Sequence, residues 1–384
     1  MKERTVIPYG RQTIEADDEA AVLDTLRSDF LTQGPRVPAF ERQLADYVGA
    51  RHCLVLSSAT AALHVVYAAM ELGGREGITT PNTFVATANA MAYAGIRPRF
   101  ADIDPATFNL DPDAVEAALT DDTALIAPVH FAGLPADMAR FAALAKARGL
   151  KLVEDASHAI GSEYPDGGRV GDCRYSDATV FSFHPVKTMT TGEGGAITTN
   201  DDALYERMAL LRSHGIERAP ERMGENPGPW FYEQQLLGFN YRMTEMQAAL
   251  GATQLAKLDR FANRRREIIA AYHAGFSDLN WLNLPVQPSQ TVCHHLFVLQ
   301  IDFEAIGQSR ADVMARLKAA GVGTQVHYIP VHLQPWYREH CGTASGDFPH
   351  AERYYDRTLS IPLYPAMTDA DVAQVIAAVR ALGA

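Results

Sequence analysis

The sequence predicts an α/β chain of two domains. The large one is built on a mostly parallel sheet with helices on both faces, and a smaller α+β one follows at the C-terminus. Three observations carry this expectation. The chain has 384 residues, more than one domain usually holds. Short β-rich runs alternate with helix-like segments through its first two-thirds. Beyond a long, charged, helix-like segment at residues 244–274, the pattern changes to a few strands and helices around a small sheet.

Taken in order, Val37, Phe40, Leu44 and Tyr47 recur at helical spacing and mark one buried helix face. Residues 53–56 form a short apolar strand, and residues 60–72 read as the helix that follows it. Residues 97–103 (RPRFADI), 124–130 (ALIAPVH), 150–154 and 179–183 are further strands. Residues 111–119 and 138–148 are helices, the second closed by Gly149. Residues 217–233, rich in Pro, Gly and charge, read as a mobile loop within the large domain. The segment 244–274 reads as one long connecting helix. A strand at 295–301, a helix at 308–320, a second strand at 323–329 and a closing helix at 369–382 complete the chain. The expected division is residues 1–255, a large domain with an N-terminal arm, and residues 256–384.

Composition narrows the function. With 47% apolar residues the chain is globular, and 46 Asp and Glu against 34 Lys and Arg give a net charge of −12. That balance argues against a general nucleic-acid binder. The cysteines Cys53, Cys173, Cys293 and Cys341 show no CxxC and no ligand spacing, and the pair His294-His295 lacks carboxylate company, so no metal site is expected. The first residues, MKERTVIPYG, lack the apolar core of a secretion signal. No stretch approaches the roughly 18–20 apolar residues of a membrane span. The expectation is a cytoplasmic protein with neither nucleic-acid nor membrane partners.

The strongest local signal is Ser182-Phe183-His184-Pro185-Val186-Lys187, followed by Thr190-Thr191-Gly192-Glu193-Gly194-Gly195. A lysine just past a buried strand and beside a Gly-rich turn suits phosphate binding, a Schiff base or a plain surface position. GxxxxGK[ST] is absent, which argues against a nucleotide P-loop. A Schiff-base lysine must be desolvated to be nucleophilic at neutral pH. Upstream, Leu152-Val153-Glu154-Asp155 puts an acid at the C-terminal end of an apolar strand, where α/β sheets place ligands. Asp155 suits either a helix N-cap or the partner of a protonated pyridine nitrogen. In Ser57-Ser58-Ala59-Thr60-Ala61-Ala62-Leu63 a strand turns into a helix through small residues, whose free N–H groups and the Thr60 hydroxyl make an anion site. A phosphate cradle, a pyridinium acid and a lysine thus follow one another on successive strand–helix units.

In these segments the chain resembles the fold-type I pyridoxal 5′-phosphate aminotransferases of the DegT/DnrJ/EryC1/StrS family, which act on nucleotide-linked keto sugars. The resemblance extends through Ile7-Pro8-Tyr9, Leu31-Thr32-Gln33-Gly34-Pro35 and Pro81-Asn82-Thr83-Phe84-Val85-Ala86-Thr87. It continues through Gly238-Phe239-Asn240-Tyr241-Arg242-Met243-Thr244 and His327-Tyr328-Ile329-Pro330-Val331-His332. Ala59 stands where the family usually has Gly. Within the family, the SFHPVKTMTTGEGG and SSATAALH segments are most similar to the branch that aminates C4 of a UDP-linked 4-keto-6-deoxy-N-acetylhexosamine, a pseudaminic acid precursor, with L-glutamate as donor.

The resemblance implies roles position by position. Lys187 and Asp155 are the catalytic pair, Lys187 holding the cofactor and shuttling a proton, and Asp155 meeting the ring nitrogen. His158 lies near the ring hydroxyl and Phe84 covers one ring face. Thr60, Ala61 and Ser182 bind the phosphate, and Asn240 reaches it from a neighbouring subunit, which implies a homodimer with shared sites. Tyr9, Arg242, His327 and Tyr328 are implied as substrate-binding residues, with Arg212 and His214 as further candidates for the diphosphate. Glu193 either orients the substrate or supports the Gly-rich turn, the second being preferred. Rival readings are the same chemistry on another nucleotide 4-keto sugar, such as a perosamine or bacillosamine precursor, and a non-enzymatic regulator that keeps the cofactor as a ligand. A sugar dehydratase of this family would carry His in place of Lys187.

Overall fold

The computed structural model describes residues 6–285 and 290–383. Seven strands form the main sheet: β1 (His52–Leu56), β2 (Glu76–Thr79), β3 (Arg97–Phe100), β4 (Thr123–Ala127), β5 (Lys151–Asp155), β6 (Ala178–Ser182) and β7 (Gly195–Thr199). Their spatial order is β1-β7-β6-β5-β4-β2-β3. Only β7 runs against its neighbours, β1 and β6, while every other pairing is parallel. The expected mixed, mostly parallel sheet is thus present. Sequence reading missed β2, a four-residue strand containing Gly77, and β7, whose first residue had been assigned to the Gly-rich turn. β7 begins at a glycine because its backbone lies on the next helix start: a Cβ on Gly195 would sit 2.5 Å from the Ala59 nitrogen.

The helix Arg36–Val48 buries Val37, Phe40, Leu44 and Val48 and ends on Gly49 at φ 87°. Tyr47, expected on that face, is only half-buried and lies under the Arg169 guanidinium, 3.8 Å from the ring centre. The helix expected at 60–72 is Ala59–Ala69, and those expected at 111–119 and 138–148 are Pro112–Ala118 and Met138–Arg148. Residues 217–233 leave and return through a short antiparallel pair, β8 (Ile216–Glu217) and β9 (Glu233–Gln234), with a 3₁₀ turn at Pro220–Arg222.

The segment expected as one long helix is two, Glu245–Ala256 and Leu258–Phe276, meeting at Lys257. Lys257 caps both at the junction (φ −100°, ψ −5°), its amine 2.7 Å from Asp17 and 2.8 Å from Asp18. A second sheet, β10 (Leu282–Asn283), β11 (Phe297–Ile301) and β12 (Thr358–Ile361), is antiparallel throughout. Its core includes Ile268, Tyr272, Leu299, Val313, Leu359 and Val375, and Ile7 of the N-terminal arm packs into it.

Residues 323–329, expected as a strand, are not one. The stretch is divided between two neighbours: Gly323 N–H donates to the Ile7 carbonyl at 2.8 Å, and Gln325 N–H donates to the Ser360 carbonyl at 3.1 Å. With its backbone bonds split this way it forms no continuous ladder, and a cis peptide joins His327 to Tyr328. Among the described residues no helix is long and apolar enough to cross a membrane.

Candidate active site

The parallel strands deliver their C-terminal ends to one side of the main sheet, and a cavity of about 590 Å³ opens there. Its walls come from Tyr9 of the arm, the Ser58–Thr60 turn after β1, the Thr83–Thr87 turn after β2, Asp155 and His158 after β5, and Ser182–Lys187 after β6. The far wall is His295 together with residues 325–329.

Asp155 is 4% exposed and is held on both oxygens: Thr87 Oγ1 donates to Oδ2 at 2.7 Å, and Ser157 N–H donates to Oδ1 at 3.0 Å. Thr87, which sequence reading quoted within a motif but gave no role, therefore orients this carboxylate. Lys187 reaches the same cavity from the loop after β6, its N–H bonded to the His184 carbonyl at 2.9 Å. Burial lowers its amine to about 8, against an upward pull from the Asp155 charge. That amine is a nucleophile near neutral pH.

Three imidazoles surround the lysine, and burial and the Lys187 charge hold each well below the usual histidine range. His158 accepts the Ala132 N–H on Nδ1 at 3.3 Å, so its proton sits on Nε2, 3.1 Å from the Tyr328 hydroxyl. His327, lowered to about 3, has Nδ1 2.8 Å from Ser360 Oγ and packs 5.3 Å from the Tyr9 ring. His295, expected within a strand, instead lies 4.5 Å from the His158 ring in the cavity wall. Strand β11 begins two residues later because the His295 N–H is spent on the Ala132 carbonyl at 2.8 Å. A histidine beside an apolar run carries no sequence signal that would separate these positions.

Phe84 stands 58% exposed at the cavity mouth, 6.1 Å from the Tyr328 ring. Thr60 and Ser182 line the cavity, whereas the Ala61 N–H is capped by Ser58 Oγ at 3.1 Å. The Glu193 carbonyl supports the turn by accepting from Thr191 Oγ1 and Gln247 Nε2, while the residue also lines the cavity. Other candidates lie elsewhere. Arg212 is paired to Glu41 at 2.6 Å and to the Val55 carbonyl, Arg242 donates to Ser213 Oγ, and exposed His214 and Asn240 line no part of this chain's cavity.

Comparison with known proteins gives this arrangement its context. The model of the DegT/DnrJ/EryC1/StrS aminotransferase family matches residues 12–380. The chain belongs to this family. It is 41% identical to the spore coat polysaccharide biosynthesis protein SpsC of Bacillus subtilis, over 99% of this chain and 98% of that protein. Helicobacter pylori PseC, an aminotransferase involved in the biosynthesis of pseudoaminic acid, superposes with a TM-score of 0.91 at 33% identity, covering 98% of this chain and 99% of PseC. Spr1654 of Streptococcus pneumoniae, in its PLP form, superposes with a TM-score of 0.88 at 29% identity over 98% of each chain, and its PMP form is likewise similar. The fold is that of the fold-type I aminotransferases, and the cofactor is pyridoxal 5′-phosphate. The donor set fits that group: a depressed lysine amine for its aldehyde, a fixed buried carboxylate for its ring nitrogen, and a helix start with hydroxyls for its phosphate.

Proposed function

We propose that this aminotransferase places an amine on C4 of a UDP-linked 4-keto-6-deoxy-N-acetylhexosamine, a pseudaminic acid precursor, taking the amino group from L-glutamate. The observation that carries the reading is the meeting of Lys187, lowered to about 8, with fixed Asp155 in one cavity beside the Thr60 helix start. The likeness to PseC supports the choice of sugar.

Bound pyridoxal 5′-phosphate supplies an electron sink that lets an amino group pass from a donor to a keto carbon. Lys187 Nζ would hold the cofactor's aldehyde carbon, and its amine would move the proton at the reacting carbon. Asp155 keeps the ring nitrogen protonated, with Thr87 and the Ser157 N–H fixing its oxygens. His158, whose Nε2 meets the Tyr328 hydroxyl, would lie near the ring hydroxyl, and Phe84, beside Tyr328 at the cavity mouth, would cover a ring face. Thr60, the Ala61 turn and Ser182 hold the phosphate, joined by Asn240 from a second copy in a homodimer. Tyr9, His327, Tyr328 and Arg242 are the residues proposed to meet the sugar nucleotide, the first three lining this chain's cavity. The division proposed is residues 1–255 and 256–384, facing each other across one cleft; the core around β10–β12 draws on the second part and on Ile7 of the arm, while Leu258, Ala262 and Cys293 pack with the main-sheet core. The protein works in the cytoplasm.

The test is incubation of the purified protein with L-glutamate and a panel of UDP- and dTDP-4-keto sugars, with the amino sugar identified by NMR. Amination of the UDP-N-acetylhexosamine at C4 is expected. If no sugar is aminated while cofactor stays bound, the non-enzymatic reading replaces this one. A second reading, a 4-keto sugar destined for another polysaccharide, rests on SpsC, which is named for spore coat polysaccharide biosynthesis. Preference for a different sugar in the panel decides for it.

A further inference from the structure

Glu154, the residue before Asp155, is fully buried and points away from the cavity. Its carboxylate accepts four hydrogen bonds. His130 Nε2 at 2.8 Å and the Tyr164 hydroxyl at 2.7 Å reach one oxygen, and Thr179 Oγ1 at 3.0 Å and Ser176 Oγ reach the other. Among the described residues its only ion-pair partner is His130, itself fully buried. His130 Nδ1 accepts the Ala136 N–H at 3.0 Å, so the Nε2 proton faces Glu154. The carboxylate is thus buried with no ion partner but this histidine among the described residues. Burial pushes the Glu154 carboxyl up, but the hydrogen bond and charge of His130, with the bonds from Ser176 and Tyr164, more than reverse this and leave it below its ordinary value. Such a charge is costly to bury even when hydrogen-bonded, and nothing in the reaction touches it.

Its connections lead to Asp155. The His130 N–H donates to the Asp155 carbonyl at 3.1 Å, and the Asp155 N–H donates to the Pro128 carbonyl at 2.9 Å. Thr179 lies opposite Glu154 in the β5–β6 register. One carboxylate therefore ties the continuation of β4, the end of β5 and the start of β6 together behind the cavity floor. Resting on the reading that Asp155 meets the cofactor's ring nitrogen, we propose that Glu154 is a positioning residue for Asp155, which fixes the end of β5 through His130 and adds a second negative charge behind the protonated ring. A nearby negative charge favours the protonated form of the group it faces. The other titratable groups around Glu154 are His130, Tyr164, Asp172, Cys173 and Asp155 itself.

The experiment uses the full-length holoenzyme and reads the bound cofactor's absorbance across pH, its affinity by equilibrium dialysis, and Tm. Glu154→Gln is expected to move the spectral midpoint down by about half a unit, ~3-fold in the proton equilibrium, and to weaken cofactor binding. Tyr164→Phe, which removes a donor without removing the charge, lowers Tm and leaves the midpoint near wild type. Should Glu154→Gln fail to fold, His130→Phe decides: it cuts the link from Glu154 to the end of β5 while Tyr164, Thr179 and Ser176 still hold the carboxylate, and an unchanged cofactor affinity overturns the proposal. A folded Glu154→Gln protein with wild-type midpoint and affinity overturns it too. Asp155→Asn separates the two layers. If it weakens the cofactor while Glu154→Gln does nothing, only the positioning role fails. If Asp155→Asn itself changes nothing, the assignment of Asp155 fails.

Discussion

With Lys187 in its proposed role as the cofactor's attachment point, its amine, held near 8 because burial disfavours the charged form, should set how fast the cofactor-free protein captures pyridoxal 5′-phosphate. Only the neutral amine attacks the aldehyde. At pH 7, an amine with a pKa of about 8 is ~10% neutral, whereas one at the ordinary 10.5 is ~0.03% neutral, an advantage of roughly 300-fold. The sign follows directly: the capture rate should rise about tenfold per unit from pH 6 toward 7, bend near 8, and be flat by 9 to 10. The perturbation is Asp155→Asn. The Asp155 charge pulls the lysine upward, so its removal should shift the bend to lower pH. Stopped-flow absorbance of the apoprotein mixed with cofactor across this range reads both effects. A rate that keeps climbing tenfold per unit through pH 10 would refute the claim that the cavity activates Lys187. A bend that moves upward in Asp155→Asn would refute the assigned coupling.

Further outcomes follow from the same geometry. Lys187→Arg keeps the charge but loses the covalent bond, so the bound-cofactor absorbance band and turnover should both vanish; a variant transaminating at the wild-type rate would end the assignment. Thr87→Val removes the 2.7 Å bond to Asp155 Oδ2, and a hydrogen bond to a charged group is worth about 1.5–3 kcal/mol. Cofactor Kd by dialysis should rise roughly tenfold or more, and an unchanged Kd would show that the Ser157 N–H suffices. Gly195→Ala places a Cβ 2.5 Å from the Ala59 nitrogen and 2.6 Å from the Ser58 carbonyl carbon, so the helix start must move. A loss of about 1–3 kcal/mol in denaturant unfolding and weaker phosphate binding are expected. Mixing Lys187→Ala with Asn240→Ala chains tests the shared site. Random mixed dimers hold one intact site in two and should recover about a quarter of wild-type activity, while no recovery speaks against Asn240 crossing between subunits.

The sequence by itself determined the class of the fold and marked Lys187 and Asp155 as candidates. Strand–helix alternation is a local pattern, and Asp155 ends a β-rich run while Lys187 follows one. Those runs alone left a surface lysine and a helix N-cap open, and the proposed roles rest on the family resemblance. The helix junction at Lys257 was not legible, because the acids that pair with its amine, Asp17 and Asp18, lie far away in sequence. Residues 323–329 look like a strand in composition, yet their backbone bonds are divided between the arm and β12. Only the tertiary structure placed His295 and Thr87 in the cavity, removed Arg212 to an ion pair with Glu41, and revealed Glu154 as a buried charge. The physical reason is the same in each case. A side chain's burial, its pKa and its hydrogen-bond partners depend on segments brought together by folding, and no spacing within one segment encodes them.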